Sequence, residues 1–205
     1  CARSASPASP AFREAAARID IFAFSSFLPA DAFISRGPMS VEGTFDAPAG
    51  YTLVIGDLVV DGAIDLAGGE EFGGVLIVLG DLRCRSFIGG EKGLLIVDGD
   101  MSVEEAVVTN FEDGGYYVIG SLRAKLHLGN DVWISDGDGA LVEYGVGYCM
   151  LMEDRRLQGT VIEPRHDEDA TVAALAIRPD PDYEYVCYQP DAVRDVIRAG
   201  RPLFR

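Results

Sequence analysis

The stretch Leu53-Val54-Ile55-Gly56-Asp57-Leu58 returns as Ile77-Val78-Leu79-Gly80-Asp81-Leu82 and as Ile96-Val97-Asp98-Gly99-Asp100-Met101. A fourth copy, Val118-Ile119-Gly120-Ser121-Leu122, has lost the aspartate, and Ile34-Ser35-Arg36-Gly37-Pro38-Met39 reads as a degenerate first copy. The glycines at 37, 56, 80, 99 and 120 are spaced by 19, 24, 19 and 21 residues, and self-similarity at such a period signals a solenoid.

Aligned on the glycines, two columns are apolar. Met39, Leu58, Leu82, Met101 and Leu122 lie two positions after the glycine; Val41, Val60, Cys84, Val103 and Ala124 lie four after it. Period-two alternation marks a strand with one buried face. Between them stand Ser40, Val59, Arg83, Ser102 and Arg123. Five positions after the glycine the signs alternate, as Asp61, Arg85, Glu104 and Lys125. Stacked in register, Arg85 would lie between Asp61 and Glu104, and cross-strand pairs of this kind oppose slippage.

Identical phrases of identical polarity favour parallel stacking over hairpins, in which alternate copies would reverse. The repeat is too short for a strand with a crossover helix, and the leucine-rich pattern is absent. The expected fold is all-β: a single-stranded parallel β-helix of about five to six coils over residues 33–149. A lead-in with a capping helix precedes it over 1–32. Strands and an amphipathic helix follow over 150–205.

The corners Gly56-Asp57, Gly80-Asp81 and Gly99-Asp100, with Gly120, read as a structural turn ladder. Glycine accepts positive φ, and aspartate hydrogen-bonds its own backbone two residues on. Three stacked carboxylates also suggest a weak cation site, but solvated turn residues are the simpler reading, and no metal or cofactor is expected. Ahead of each glycine two columns are apolar, Val54, Val78, Val97 and Val118 beside Leu53, Ile77, Ile96 and Tyr117. One must face the interior and one the outer wall. The valine stripe is taken as the outer one, hence as the candidate interaction surface. An apolar stripe of this size calls for a cover or a partner.

The net charge of −16 opposes direct binding of nucleic acid and suits a basic protein partner. No apolar run is long enough for a transmembrane helix. The cysteines at 1, 84, 149 and 187 have no metal-site spacing, so a reducing, cytoplasmic setting is the default, with Cys84 a buried thiol. Cys1 followed by an Ala/Ser/Pro-rich segment also fits a lipid-anchored lipoprotein terminus or an N-terminal nucleophile, although a fragment boundary explains it more simply.

Residues 1–8 read as a loose lead-in. Ser9 and Pro10 would open a helix with Phe12, Ala15, Ala16 and Ile19 on its apolar face, and Phe22, Phe24, Phe27 and Phe33 would close the first coil. A further coil is expected through Val132-Trp133-Ile134 and Asp136-Gly137-Asp138-Gly139. Beyond Met150, Thr160-Val161-Ile162 and Glu184-Tyr185-Val186-Cys187-Tyr188 read as strands, and Ala173–Ile177 as a strand or a helical turn. A general base at His166, within Arg165–Asp169, is weaker than a solvated loop. Asp191–Arg198 forms an amphipathic helix ended by Gly200 and Pro202, whose Val193, Val196 and Ile197 would lie on the valine stripe.

The hydrophobic-Gly-Asp-Leu phrases over residues 33–140 resemble those of bactofilin-like, polymer-forming bacterial proteins. That resemblance implies a parallel β-helix that assembles end to end. Here the coils are irregular and both ends carry extra segments, which would obstruct stacking. The repeat style and acidity also look like those of small proteins encoded beside bacterial polymorphic toxins, which implies an immunity role. The expected function is therefore non-enzymatic: an acidic β-helix that sequesters a partner such as a basic toxin domain, as a monomer or dimer. A structural polymer is the alternative. A carbohydrate-active β-helix would need a cleft of carboxylates and more coils.

Overall fold

A computed structural model describes residues 3–5, 32–47, 50–67, 74–90, 93–109, 114–129, 134–136, 139–146, 161–162, 168–182 and 188–205. Each regular coil contributes a short strand, the Gly-Asp corner and a longer strand. The short strands are β2 (Ala32–Arg36), β5 (Tyr51–Ile55), β7 (Val75–Val78), β9 (Leu94–Val97), β11 (Gly115–Val118) and β13 (Ile134–Asp136). They stack in parallel, in that order, as sheet 1. The partners after the corner are β3 (Met39–Val41) with β4 (Phe45–Asp46), β6 (Leu58–Asp65), β8 (Leu82–Ile88), β10 (Met101–Val108), β12 (Ser121–Leu128) and β14 (Gly139–Val146). They stack in parallel as sheet 2. The chain is a β-solenoid, with about four regular turns between Tyr51 and Leu128.

The register follows the glycine alignment. Met39, Leu58, Leu82, Met101 and Leu122 are consecutive partners across sheet 2, as are Val41, Val60, Cys84, Val103 and Ala124. Both columns line the main core. The further coil expected near residue 134 is present as β13 and β14.

The expected charge ladder is corrected by one residue. The pairing shifts between Val60 and Ala63 in β6 and between Val103 and Ala106 in β10, so each carries one residue more than β8 at this point, and β10 one more than β12. Such a bulge re-aims side chains. Arg85 therefore pairs with Glu105, 2.9 Å away, and not with Glu104.

Here the long strands also change facing. Leu82 and Cys84 point inward, then Phe87; in β10 the order is Met101 and Val103, then Val107. The flanking residues Ala63, Ile88, Ala106, Val108, Leu126, Leu128 and Val146 belong to a second apolar cluster, outside the coil. Each long strand thus forms two walls. On the loop side, Tyr116 donates to the Gly90 carbonyl at 3.0 Å and stands edge-on to Phe87, with centroids 5.4 Å apart. Thr109 Oγ1 lies 2.9 Å from His127 Nε2, both buried.

The ends differ from expectation. Residues 3–5, read as loose lead-in, form β1 (Arg3–Ala5), which pairs antiparallel with β2 and occupies that edge of sheet 1. β15 (Val161–Ile162) extends sheet 2 in parallel beyond β14. The capping helix from Ser9 and the His166 loop lie outside the described residues, as does the strand expected over 184–188 apart from Tyr188. Ala173–Ile177 resolves into the end of a helix, α1 (Glu168–Ala174), followed by an antiparallel bridge from Leu175 to Phe204.

The C-terminal helix α2 (Pro190–Arg198) has proline in its first turn, where the missing N–H costs nothing, and Asp191 beside the positive end of the dipole. Its end is a Schellman motif: Gly200, at φ +63°, donates to Ile197, and Arg201 donates to Val196. Among the described residues, no helix is long and apolar enough to cross a membrane.

Candidate protein-binding surface

A partner can use only the surface that the chain leaves open, so each outer wall is taken in turn. On sheet 1 the expected assignment is reversed. Val54, Val78, Val97 and Val118 are buried inside the solenoid, packed on Leu58, Leu82, Met101 and the rest of the main core. The other column, Leu53, Ile77 and Ile96, faces outward with Tyr51, Leu94 and Ile34 in a separate apolar cluster. The two columns differ by one residue, and a one-residue shift exchanges the faces of a strand. The outer column is itself buried, yet the described part of this cluster holds residues of sheet 1 and its corner alone. Burial pushes the Tyr51 hydroxyl up to about 12. α2 does not lie on this wall.

Instead, α2 covers the second wall of sheet 2. Val193, Val196 and Ile197 are buried in the cluster that holds Ala63, Ile88, Ala106 and Val108. At the other end of this wall Phe204 packs beside Tyr144, and Lys125 Nζ sits 3.7 Å from the centre of the Phe204 ring. The cover is anchored by charge. Asp65 is fully buried; it accepts from Arg194 Nε at 2.9 Å and from Arg198 Nη1, while its other oxygen accepts the Ala67 N–H at 2.8 Å. Arg198 also reaches Asp46 at 2.7 Å, and these carboxylates hold its pKa above the ordinary value.

The corner between the walls shows why the repeat carries aspartate. Asp57 Oδ1 accepts the N–H of Asp81 at 3.0 Å, Asp81 Oδ1 that of Asp100 at 3.0 Å, and Asp100 Oδ1 that of Ser121 at 2.8 Å. The bond runs to the next coil rather than to the residue two further on. The glycine requirement also differs from expectation. Gly37 and Gly56 have positive φ, but Gly80 is needed for room, since a Cβ there would lie 2.6 Å from Asp57 Oδ1 and 2.8 Å from the Gly56 carbonyl oxygen. Among the described residues no group of three or more His, Cys, Asp or Glu is placed to hold a metal ion.

Among the described residues, that leaves the corner itself and the first wall of sheet 2. All three corner aspartates are exposed. Their stacking gives one carboxylate about every 4.8 Å along the edge. Four large apolar side chains are exposed among the described residues: Ile119 at 48%, Val59 at 41%, Tyr117 at 40% and Leu141 at 37%. Tyr117 and Ile119 flank the corner at Gly120, and Leu141 is the neighbour of Arg123 just beyond it. The acidic row therefore ends where apolar side chains from both sheets and an arginine are exposed. Sequence columns alone do not reveal these residues, because Tyr117 shares a column with the covered Leu53 and Leu141 continues one headed by Ser40.

Other features offer less chemistry. Burial, reinforced by Glu104, pushes the Cys84 thiol far above its ordinary value, which leaves it an inert core group. A cleft of about 340 Å³ is lined by Gly43, Asp61, Arg85, Ser86 and Arg198. Its two guanidinium groups are already engaged, by Glu105 and by Asp46 with Asp65.

No family model, curated protein or solved structure matches this chain.

Proposed function

We propose that this chain is a non-enzymatic, protein-binding β-solenoid, and that its Gly-Asp corner is the edge that engages a basic partner. The observation that carries the reading is the sequence of surfaces along one edge. Asp57, Asp81 and Asp100 stand exposed in a row, and Ile119, Tyr117 and Leu141 are exposed where the row ends. Carboxylates in line steer a cationic surface, and an aromatic beside aliphatic side chains and Arg123 gives it an anchor. The charge of −16 acts in the same direction at long range. In its most concrete form the function is immunity: sequestering a basic toxin domain by direct contact.

A bactofilin-like scaffold is the alternative. β1 lies antiparallel on the first edge of sheet 1, and β15 lies on the last edge of sheet 2, so a stacking copy would meet an added strand on one of the two sheets at each end. This favours a monomer or dimer over a filament.

Two experiments test the reading. Light scattering over a range of concentrations should give a constant mass near one or two chains; growth into long assemblies would favour the scaffold. The variant Asp57→Asn/Asp81→Asn/Asp100→Asn keeps an acceptor oxygen for every corner N–H and removes three charges. Capture of a basic protein by the immobilised chain should weaken in this variant and lose much of its salt dependence. Unchanged capture and salt dependence would exclude the corner as the binding edge.

A further inference from the structure

The wall under α2 is itself a repeat, and a repeat offers a helix several nearly equivalent seats. Along sheet 2, Ala63, Ser86 and Ala106 are consecutive partners, so over these three coils packing volume barely changes, before Leu126 and Tyr144 enlarge the same column. The adjoining column runs Asp65, Ile88, Val108, Leu128 and Val146, again in register. A slide by one coil, about 4.8 Å, would set α2 on a surface of similar shape and polarity. One buried residue breaks this equivalence. Asp65 and its register partner Asp46 on β4 form the acidic end of an otherwise aliphatic column, and of the two only Asp65 is fully buried and takes both Arg194 and Arg198.

We infer that Asp65 is a register pin, which selects one docking position for the C-terminal cover on a repetitive surface. The two arginines are four residues apart, hence on one face of α2, and both reach the same carboxylate. One coil further on they would stand over Ile88, with Asp65 left buried and without its guanidinium partners. That seat is penalised twice, whereas apolar contact alone would hardly distinguish the two. Arg198 adds a second tie to Asp46, on the first coil, where the sheet ends and a slide toward β3 has no further seat. A buried polar group that contributes little net stability but fixes one register is a known use of such pairs in helical assemblies, and a translational repeat presents the same ambiguity.

Moving the pin tests the inference. In the full chain, NOEs between the methyl groups of Ile197 and Ala63, which line the same cleft, report the native seat. In Asp65→Ile/Ile88→Asp the composition is unchanged and the carboxylate sits one coil further on. The Ile197 methyls should lose the Ala63 contact and gain one to Ala106. Retention of the Ala63 contact as the main one would overturn the inference. Should this variant leave α2 undocked, Asp65→Leu/Arg194→Leu/Arg198→Leu decides, since it removes the buried carboxylate and both arginines. It should remain folded, with two or more sets of Ile197 and Val193 methyl signals from coexisting seats. A single set with the wild-type contact would show that shape alone sets the position, and the pin would be refuted.

Discussion

The two halves of each long strand face outward in opposite ways. In β8, Arg83 points to water beside the open corner, while Ile88, five residues on, is buried under the C-terminal cover. In β12 the pair is Arg123 and Leu128. The inward residues hardly differ between the halves, since Leu82, Cys84 and Phe87 share one core. A repeat therefore specifies the solenoid through its inner columns, and specifies what lies on the solenoid through its outer ones. The first half is left open and the second is closed.

The largest effect should come from breaking the closed half at its charge. Asp65→Ala removes the buried carboxylate that Arg194 and Arg198 share, and leaves Arg198 only its exposed tie to Asp46. Removing one partner of a buried ion pair costs about 3–5 kcal/mol, and the lower end applies because both arginines retain some access to water. Asp46→Ala removes the exposed partner of the same Arg198 and should cost only about 0–1 kcal/mol. Urea denaturation of both variants checks the contrast. Equal losses would mean that the burial of Asp65 contributes nothing to the clasp.

Next comes the corner that joins the halves. Gly80→Ala forces a Cβ against the Gly56 carbonyl and the Asp57 carboxylate of the coil below. Overpacking of this kind typically costs about 1–3 kcal/mol. Because the clash lies with the stacked coil, hydrogen exchange should show the loss around β5 to β8 rather than in α2. Protection lost first in α2 would place the strain elsewhere.

What the residues disclosed in advance follows the same division. The inner columns were legible because burial in every coil enforces the same residue class at the same offset from glycine, which yields register as well as fold. Which of the two columns ahead of the glycine faces outward is not legible, for a physical reason. Both columns ahead of the glycine are apolar, since the outer wall of sheet 1 is also covered, and alternation vanishes when both faces are buried. The pairing of Glu105 is not legible either, because a bulge changes pairing without changing the periodic pattern around it. The clasp was not readable at all, since Asp65 and Arg194 are 129 residues apart and nothing local marks Asp65 as buried. The candidate edge was half legible: the corner aspartates stand out, whereas the exposure of Tyr117, Ile119 and Leu141 depends on where the covers stop.

A smaller effect separates the two roles of the corner aspartates. Asp81→Ala removes the acceptor of the Asp100 N–H, an exposed bond whose loss costs about 0.5–1.5 kcal/mol. Asp81→Asn keeps a carbonyl oxygen at that place and should retain most of this stability while losing the charge. Thermal melts of the two variants would show the order wild type, Asn, Ala. If Asn were as damaging as Ala, the negative charge rather than the acceptor would hold the coils together, and the row would be less free to serve a partner.

The smallest structural effect belongs to the open half, where it is the most informative about function. Tyr117 and Leu141 are exposed, so Tyr117→Ser/Leu141→Ser removes little buried surface. Surface substitutions of this kind usually change stability by no more than about 0.5 kcal/mol each. A binding anchor behaves differently, since truncating one costs about 2 kcal/mol or more of association. The double variant should therefore melt with the wild type yet lose a captured basic partner at least tenfold. Loss of stability together with loss of capture would mean that these side chains belong to a packed surface and that the open half ends sooner. Wild-type melting with undiminished capture would leave the acidic row alone as the binding edge, a contact set by charge and correspondingly sensitive to salt.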